Sequence, residues 1–472
     1  MKLFKSPNFK PFSKQMFRIA LPIALSGIIM QVQMLIDTAF LARYTTTVNG
    51  SVLSGSDILS AVGNVFFPYM VTISFIWAMG TGVVVLVSQH LGASKPDEAR
   101  TVGNVALKYN TLLSWIGFAF WFFFAKKVFT LMGVQEPILT LSLQYIGFVS
   151  IELLYMGAST SVNAIFQGTG NTQPEMYTGI FRSLLHIVLD YILIFGHFGF
   201  PEMGVAGAGL ASTTSGFFAT LIMIVIFAKT KNLPFKVNLR KVFLAPIKPY
   251  IKLLKVALPA SLEEMLWNFG NLVLAFFLNL LSPDAVGIYR LVYQIEITPI
   301  FFYLGLARAV TTLVGQRTGA RDLAGARESG LIGTFYTVSF CILFTIAFVM
   351  IPKLILSVFT PDTKLIDEAA PLLVITAFTM MPRAVNIISG NGIRGYGDTV
   401  WMLATQIFGM FFLLSLSHLL MFPVGLGIYG LFIGMFSDET VRGIINTVRF
   451  YRGETSIFHK APLIEKQSVE SI

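Results

Sequence analysis

The chain has 472 residues, of which 55% are hydrophobic and only 12% are charged, and its formal net charge is +10. Soluble proteins contain about 25% charged residues, so this composition excludes a soluble globular fold. The chain has no Gly-Lys pair for a phosphate-binding loop, no histidine spacing typical of a metal site or a hydrolytic triad, and a single cysteine, Cys341. We therefore expect a protein that is not an enzyme and that needs no cofactor.

Long apolar stretches recur twelve times along the chain. A membrane-spanning helix needs about 20 mainly apolar residues, and each stretch reaches this length. We predict spans over residues 15–43, 59–89, 101–125, 138–166, 175–196, 204–228, 249–281, 285–315, 329–351, 367–390, 399–422 and 425–451. The predicted fold class is an all-α membrane protein with twelve transmembrane helices.

The twelve predicted spans divide into two lobes of six. We assign residues 1–14 to an N-terminal segment, 15–229 to the N-lobe, 230–248 to a basic linker, 249–452 to the C-lobe and 453–472 to a tail. Because six is an even number, both lobes enter the membrane from the same side. The repeat is therefore parallel, with its axis along the membrane normal.

Two short motifs occur once in each lobe, and both pairs are 227 residues apart. Residues 166–172 (Phe-Gln-Gly-Thr-Gly-Asn-Thr) match residues 393–399 (Ile-Arg-Gly-Tyr-Gly-Asp-Thr), and Gln89 with Gly92 matches Gln316 with Gly319. Glycine suits the left-handed end of one helix, and Asn or Asp with Thr suits the start of the next, so we predict tight helix–helix turns. Duplicated bundles place a central site between two lobes that rock, which makes transport the leading hypothesis.

The positive charge is concentrated at alternate ends of the predicted spans. Basic residues cluster before span 1, after spans 2 and 8, in the linker and after span 12. This bias predicts a multi-pass protein of the plasma membrane with both termini in the cytoplasm. The same distribution argues against nucleic acid as a binding partner, although the net charge is positive. We expect lipid and small organic molecules as partners, and a monomer.

Two acids lie inside predicted apolar spans of the N-lobe. Asp37 belongs to span 1, one turn after Gln33, and Asp190 belongs to span 5, one turn after His186. A charged residue at the bilayer centre costs at least about 2.5–3.5 kcal/mol, so each acid is expected to have a functional or structural role that offsets this cost. If spans 1 and 5 face each other, two carboxylates share a pocket that could hold a proton or a sodium ion. The alternative is that each acid is held by a local donor, such as His186 or Arg182.

The C-lobe carries its polar residues at other positions. Candidate substrate-binding residues are Glu264, Asn268, Tyr293 and Glu296, together with Met34 of span 1. The two glutamates could bind a cationic substrate, or they could instead form interior ion pairs with Arg383 or Arg308. The 44 phenylalanines and 19 methionines suit adaptable binding of apolar cations, although most of them serve packing or face lipid.

The repeated motifs resemble the multidrug and toxic compound extrusion (MATE) family, whose signature after helices 4 and 10 is Arg-Gly-x-Gly-Asp-Thr. Residues 394–399 match it in full, whereas the first copy has Gln167 and Asn171 in place of Arg and Asp. The Ile-Asp-Thr step around Asp37 is also similar to the family's first helix. The resemblance covers about residues 15–450 and implies two six-helix lobes around a V-shaped cavity.

The resemblance also implies where ion coupling occurs. The DinF-like branch has its coupling site in the N-lobe, and Asp37, Asn163 and Asp190 occupy similar positions, with Ser212 where a helix 6 Thr is common. His186 departs from the Asn that is usual there. The NorM-like branch has a Glu and an Asp in its C-lobe site, where this chain has Trp267 and Arg383. The chain therefore looks closer to the DinF-like branch.

These observations predict a secondary antiporter that exports amphipathic, cationic drugs or toxic compounds in exchange for H⁺ or Na⁺. Asp37 is the expected coupling residue, supported by Gln33, Asn163, His186, Asp190 and Ser212. Protons are favoured over sodium because the imidazole of His186 presents no oxygen ligand. If sodium drives transport instead, Asp37 and Asp190 would be its ligands. The alternatives are a lipid-linked oligosaccharide flippase of a related family and a membrane scaffold that does not transport.

Overall fold

The computed structural model describes residues 6–48 and 50–452, which are mostly helical. The helices are α1 (Phe9–Arg43), α2 (Gly55–Gly92), α3 (Pro96–Leu131), α4 (Ile138–Val149), α5 (Leu153–Thr169), α6 (Gln173–Phe195), α7 (Gly204–Lys229), α8 (Leu239–Phe243), α9 (Ile247–Leu281), α10 (Pro283–Gly319), α11 (Leu323–Met350), α12 (Pro352–Ser357), α13 (Thr363–Tyr396), α14 (Thr399–Met421) and α15 (Ile428–Arg452). Strands β1 (Thr46–Val48) and β2 (Ser51–Leu53) pair antiparallel in a small hairpin, which the apolar pattern does not predict.

The long helices correspond to the twelve predicted spans and give the expected fold class. Helices α4 and α5 together form the fourth span, interrupted by a 3-10 turn at Ser150–Glu152. Ten spans of the described chain are long and apolar enough to cross a membrane, and the bent helix α10 makes eleven. Helix α15 falls outside this criterion, and it carries Asp438, Glu439 and Arg442 in its middle.

Helices α1 and α9 begin earlier than the predicted spans at 15–43 and 249–281. Helix α1 begins at Phe9, so the predicted N-terminal segment 1–14 is helical over its last residues. Burial of Phe12 and Met16 explains this, since they extend the apolar face of α1 by two turns. The linker 230–248 is not wholly irregular, because it contains α8 and the first residues of α9. The predicted tail 453–472 lies outside the described residues.

The repeated glycine motifs form the predicted tight turns. Gly170 ends α5 with φ +82° and Gly397 ends α13 with φ +90°, the left-handed conformation that glycine adopts without strain. In the second copy the side chain of Asp398 accepts a backbone N–H at the start of α14, as predicted. The predicted cap is absent from the first copy, where the Thr172 hydroxyl instead donates to the carbonyl of Ile19 at 2.8 Å.

The first half of each lobe's first helix packs into the core of the other lobe. Met16 and Ile19 of α1 are buried in a C-lobe core that includes Val310. Reciprocally, Leu253 and Val256 of α9 are buried in an N-lobe core formed mainly by α2 and α3. The second half of α1 returns to the N-lobe and packs against α6. The lobes are therefore interleaved at one end.

The repeated motifs meet at this interleaved end and form reciprocal contacts. Gln89 Nε2 donates to the carbonyl of Gly395 at 2.9 Å, and Gln316 Nε2 donates to the carbonyl of Gly168 at 3.1 Å. Since both members of each pair are 227 residues apart, the repeat relates the two contacts. We call this contact the lobe seam; its residues are Gln89, Gly92, Gly168, Gln316, Gly319 and Gly395.

Two glycines allow the close approach at the lobe seam. A Cβ on Gly92 would lie 1.9 Å from the carbonyl oxygen of Gln316, and a Cβ on Gly319 would lie 1.9 Å from that of Gln89. Both obstructing atoms are backbone, so a side-chain rotation could not relieve the overlap. The close packing of the two lobes at this end therefore depends on these glycines.

Candidate functional site

Three polar side chains of the N-lobe converge between α1 and α6. Asp37, His186 and Asp190 each place one ligand atom within 4.8 Å of the others. Asp190 is fully buried, and in the described part of the chain neither of its carboxylate oxygens has a hydrogen-bond partner. The same holds for Oδ1 of Asp37. Helices 1 and 5 of the sequence prediction thus face each other, and their acids share one pocket, which we call the carboxylate pair.

A chain of hydrogen bonds orients the histidine toward this pair. Ser183 Oγ donates to Oε1 of Gln33 at 2.9 Å, which leaves the Gln33 Nε2 amide to donate to Nδ1 of His186. With Nδ1 accepting, the neutral imidazole carries its proton on Nε2, and this atom lies 3.4 Å from Oδ1 of Asp190. Sequence reasoning did not identify Ser183, although its spacing from His186 and Asp190 places all three on one face of α6.

The remaining predicted coupling residues, Asn163 and Ser212, belong to two other helices of the N-lobe. Asn163 is on α5 and lines a cavity between the lobes, while Ser212 is half-buried on α7. Among the described residues, neither side chain hydrogen-bonds to Asp37 or Asp190. Arg182 donates to Glu152 at 2.5 Å and is not the partner of Asp190. The local-donor alternative is therefore limited to His186.

The C-lobe encloses a cavity of about 380 Å³ whose acids are mostly paired with arginines. Arg383 donates to Glu296 and, at 3.0 Å, to Glu439. Arg442 donates to Asp438 at 2.5 Å. Glu296, predicted to bind substrate, is thus held in the interior ion pair that was its alternative. In such pairs the mutual attraction of the charges offsets part of the cost of removing them from water.

A second cavity of about 540 Å³ lies between the lobes. Its two arginines are also paired: Arg308 lies 3.3 Å from Glu175, and Arg394 lies 2.5 Å from Glu263. Glu264 lines both cavities and, among the described residues, forms neither an ion pair nor a side-chain hydrogen bond. It is therefore the carboxylate that a ligand can reach without breaking an internal ion pair.

Aromatic rings line the C-lobe cavity together with Glu264. Trp267, Tyr289, Tyr293 and Phe301 line this cavity, and the two tyrosine rings stack with centroids 5.9 Å apart. Two predicted substrate residues lie elsewhere. Asn268 donates to the backbone carbonyl of Glu264, and the side chain of Met34 is 42% exposed on α1; neither lines the two cavities.

Comparisons with known proteins agree with this architecture. The MatE family model matches residues 22–192 and 259–419, one segment in each lobe. The "Uncharacterized transporter YisQ" of Bacillus subtilis is 27% identical over 93% of this chain and 94% of that protein. The "Probable multidrug resistance protein NorM" of Thermotoga maritima is 24% identical over 97% of this chain and 96% of that protein.

Solved structures share the fold at low sequence identity. A crystal structure of MATE in complex with MaL6 has a TM-score of 0.84 at 18% identity, covering 95% of this chain and 98% of that chain. An outward-facing multidrug resistance MATE transporter has a TM-score of 0.83 at 20% identity, covering 94% and 96% of the two chains. Since the family model matches both lobes, this chain belongs to the MATE family of multi-pass membrane transporters, which are not enzymes and several of which are named multidrug resistance proteins.

Proposed function

We propose that the protein is a secondary antiporter that exports amphipathic organic cations in exchange for protons, by alternating access about the lobe seam. The observation that carries this proposal is the carboxylate pair: Oδ1 of Asp37 and both carboxylate oxygens of Asp190 are buried and lack hydrogen-bond partners in the described chain. Two close carboxylates repel each other unless a proton or a cation lies between them. Uptake and release of that ion would therefore change the packing of α1 on α6.

The same features support the finer assignments. A coupling site in the N-lobe and an arginine at position 383 favour the DinF-like branch over the NorM-like branch. The basic ends of the spans support a plasma-membrane protein with cytoplasmic termini. A flippase for pyrophosphate-linked lipids would need unpaired cations in its cavity, and Arg308 and Arg394 are already paired with acids.

The coupling ion can be tested in proteoliposomes with separate gradients. We expect efflux with a pH gradient and no sodium, because His186 presents no oxygen to a sodium ion next to Asp190. We expect little efflux with a sodium gradient and no pH gradient. The matched variant His186→Asn adds an amide oxygen at this position and should raise the sodium-driven rate. Efflux by the wild-type protein only under the sodium gradient would contradict proton coupling.

Glu264 is expected to select for positive charge in the substrate. Glu264→Gln should lower export of a quaternary ammonium dye about tenfold, since losing one charged contact corresponds to about 1.5–3 kcal/mol. Export of a neutral dye of similar size should change little. The measurement is efflux of both dyes from the same vesicles.

The variant Glu296→Gln serves as the control for Glu264. It leaves Arg383 without one of its two carboxylates, so we expect a lower melting temperature and equal loss for both dyes. If Glu264→Gln also reduced both dyes equally, Glu264 would have a structural role and no role in charge selection.

A further inference from the structure

A surface of exposed cations and exposed apolar side chains covers the linker and the start of α9. We call it the linker surface; its cations are Lys236, Arg240, Lys241, Lys248 and Lys252, and its apolar members are Leu239, Phe243, Leu244, Ile247 and Ile251. No acid occurs between Lys229 and Lys255. Within residues 6–48 and 50–452, none of the five cations forms an ion pair. The described residues therefore leave the positive charge of this surface without a counter-charge.

The linker surface is fixed to the N-lobe. Lys108 Nζ of α3 donates to the carbonyls of Phe243 and Ala245, both at 2.9 Å. Tyr109 also donates to the carbonyl of Ala245, at 3.1 Å. Ala245 and Phe235 are buried in the N-lobe core. These contacts hold the linker in place, and none of the described residues covers its exposed apolar side chains.

The first turns of α9 present three separate faces. Tyr250 and Leu253 are buried against the N-lobe. Ile247, Ile251 and Leu258 are exposed by 58%, 48% and 42% and follow one stripe into the span, which is the side that faces lipid chains. Lys248, Lys252 and Lys255 are exposed and form the stripe beside it. The cations therefore flank the apolar stripe where the span leaves the membrane.

The loop end of the surface continues the same pattern. Leu239 and Phe243 are each 76% exposed, Leu244 is 71% exposed, and Arg240 and Lys241 stand between them. Long basic side chains can lie along apolar surface and reach charged groups at the interface. A segment that combines both residue types lies in the interface and is attracted to anionic lipid.

We propose that the linker surface binds the anionic phospholipid headgroups of the leaflet on its side of the membrane. The apolar side chains enter the boundary with the acyl chains, while the five cations contact headgroup phosphates. A soluble phosphate or a nucleic acid would engage the cations but would leave Leu239, Phe243 and Leu244 exposed to water. This inference concerns a lipid site and is independent of the transported substrate and of the coupling ion.

The test compares spin-labelled phosphatidylglycerol with spin-labelled phosphatidylcholine in vesicles that contain the full-length protein. Electron spin resonance measures the motionally restricted fraction of each lipid. We expect the wild-type protein to prefer phosphatidylglycerol. The variant K236Q/R240Q/K241Q/K248Q should reduce that preference at least about fivefold, the contribution expected of even one cation near an anionic leaflet.

Two further variants distinguish lipid binding at the linker surface from a general effect of the protein's net charge. The control K126Q/K127Q/K353Q/K364Q makes the same change in charge at the opposite ends of the spans and should keep the preference. The variant Phe243→Ser/Leu244→Ser keeps all cations and should also weaken it, because the apolar part of the site is lost. Circular dichroism should show equal helix content in all variants.

Three results would overturn the proposal. They are an unchanged preference in the four-cation linker variant, an equal loss in the opposite-end control, and full displacement of the lipid by millimolar inorganic phosphate. The last result would identify a soluble anion site on the cations alone.

Discussion

Replacing Asp37 with Asn is expected to reduce gradient-driven efflux to the background of empty vesicles. An amide cannot take up or release a proton, and it removes one of the two carboxylates that share the pocket with His186. Asn has nearly the same shape and needs no countercharge inside the membrane, so the protein should insert and fold normally. The measurement is dye efflux from proteoliposomes after a pH gradient is imposed.

The control for Asp37 is Asp284→Asn, in the exposed first turn of α10. It makes the same chemical change outside the carboxylate pair and should leave efflux unchanged. Both variants should elute from size-exclusion chromatography like the wild-type protein and show a similar melting temperature. Undiminished efflux by Asp37→Asn would remove this residue from the coupling mechanism, whatever the role of Asp190.

The second large effect is expected at the lobe seam. Gly92→Ala and Gly319→Ala each place a Cβ 1.9 Å from a backbone carbonyl oxygen of the other lobe. Carbon and oxygen need more than about 3 Å, and backbone atoms cannot rotate away, so the seam cannot close as it does here. We expect efflux to fall more than about tenfold. A tenfold slower cycle corresponds to a loss of about 1.4 kcal/mol in the stability of the state in which the lobe seam is closed.

The structural readout for the seam is the distance between the lobes. Spin labels on exposed Glu98 of α3 and exposed Leu323 of α11 should give a longer mean distance in both variants. Alanine exceeds glycine in helix propensity by about 1 kcal/mol, so a weaker helix would not explain the loss.

Each seam variant has a matched control on its own helix. Gly63 of α2 and Gly287 of α10 have nothing within 4 Å of an added Cβ, so Gly63→Ala and Gly287→Ala should keep both efflux and lobe distance. Normal efflux by Gly92→Ala, with an unchanged distance between the labels, would show that the lobe seam accommodates the added Cβ and would contradict this prediction.

Much of the architecture follows from the sequence because the membrane imposes local rules. A span must be about 20 apolar residues long, so the apolar stretches predict the spans, and the motifs repeated 227 residues apart predict their division into two lobes. The left-handed turns at Gly170 and Gly397 are predictable because only glycine adopts positive φ without strain. Asp37 and Asp190 could be identified because a charge inside the bilayer is costly wherever it lies.

Other features could not be read from spacing, because they depend on which helices meet. Nothing local distinguishes Glu264 from Glu296, yet Arg383 pairs with Glu296 and not with Glu264, which stays accessible from both cavities. Similarly, helix periodicity places Arg182 on the face of Asp190, but its guanidinium reaches Glu152 instead.

The lobe seam illustrates the same division between sequence and structure. By itself the sequence determined that Gln89, Gly92 and Gly168 have repeat partners at Gln316, Gly319 and Gly395. Only the tertiary structure decided that each glutamine hydrogen-bonds to the carbonyl of the other lobe's turn, and that each glycine packs against the other lobe's glutamine backbone. Local propensity explains each turn as a helix end, whereas contact between the turns requires the two lobes to be placed side by side with their first helices exchanged.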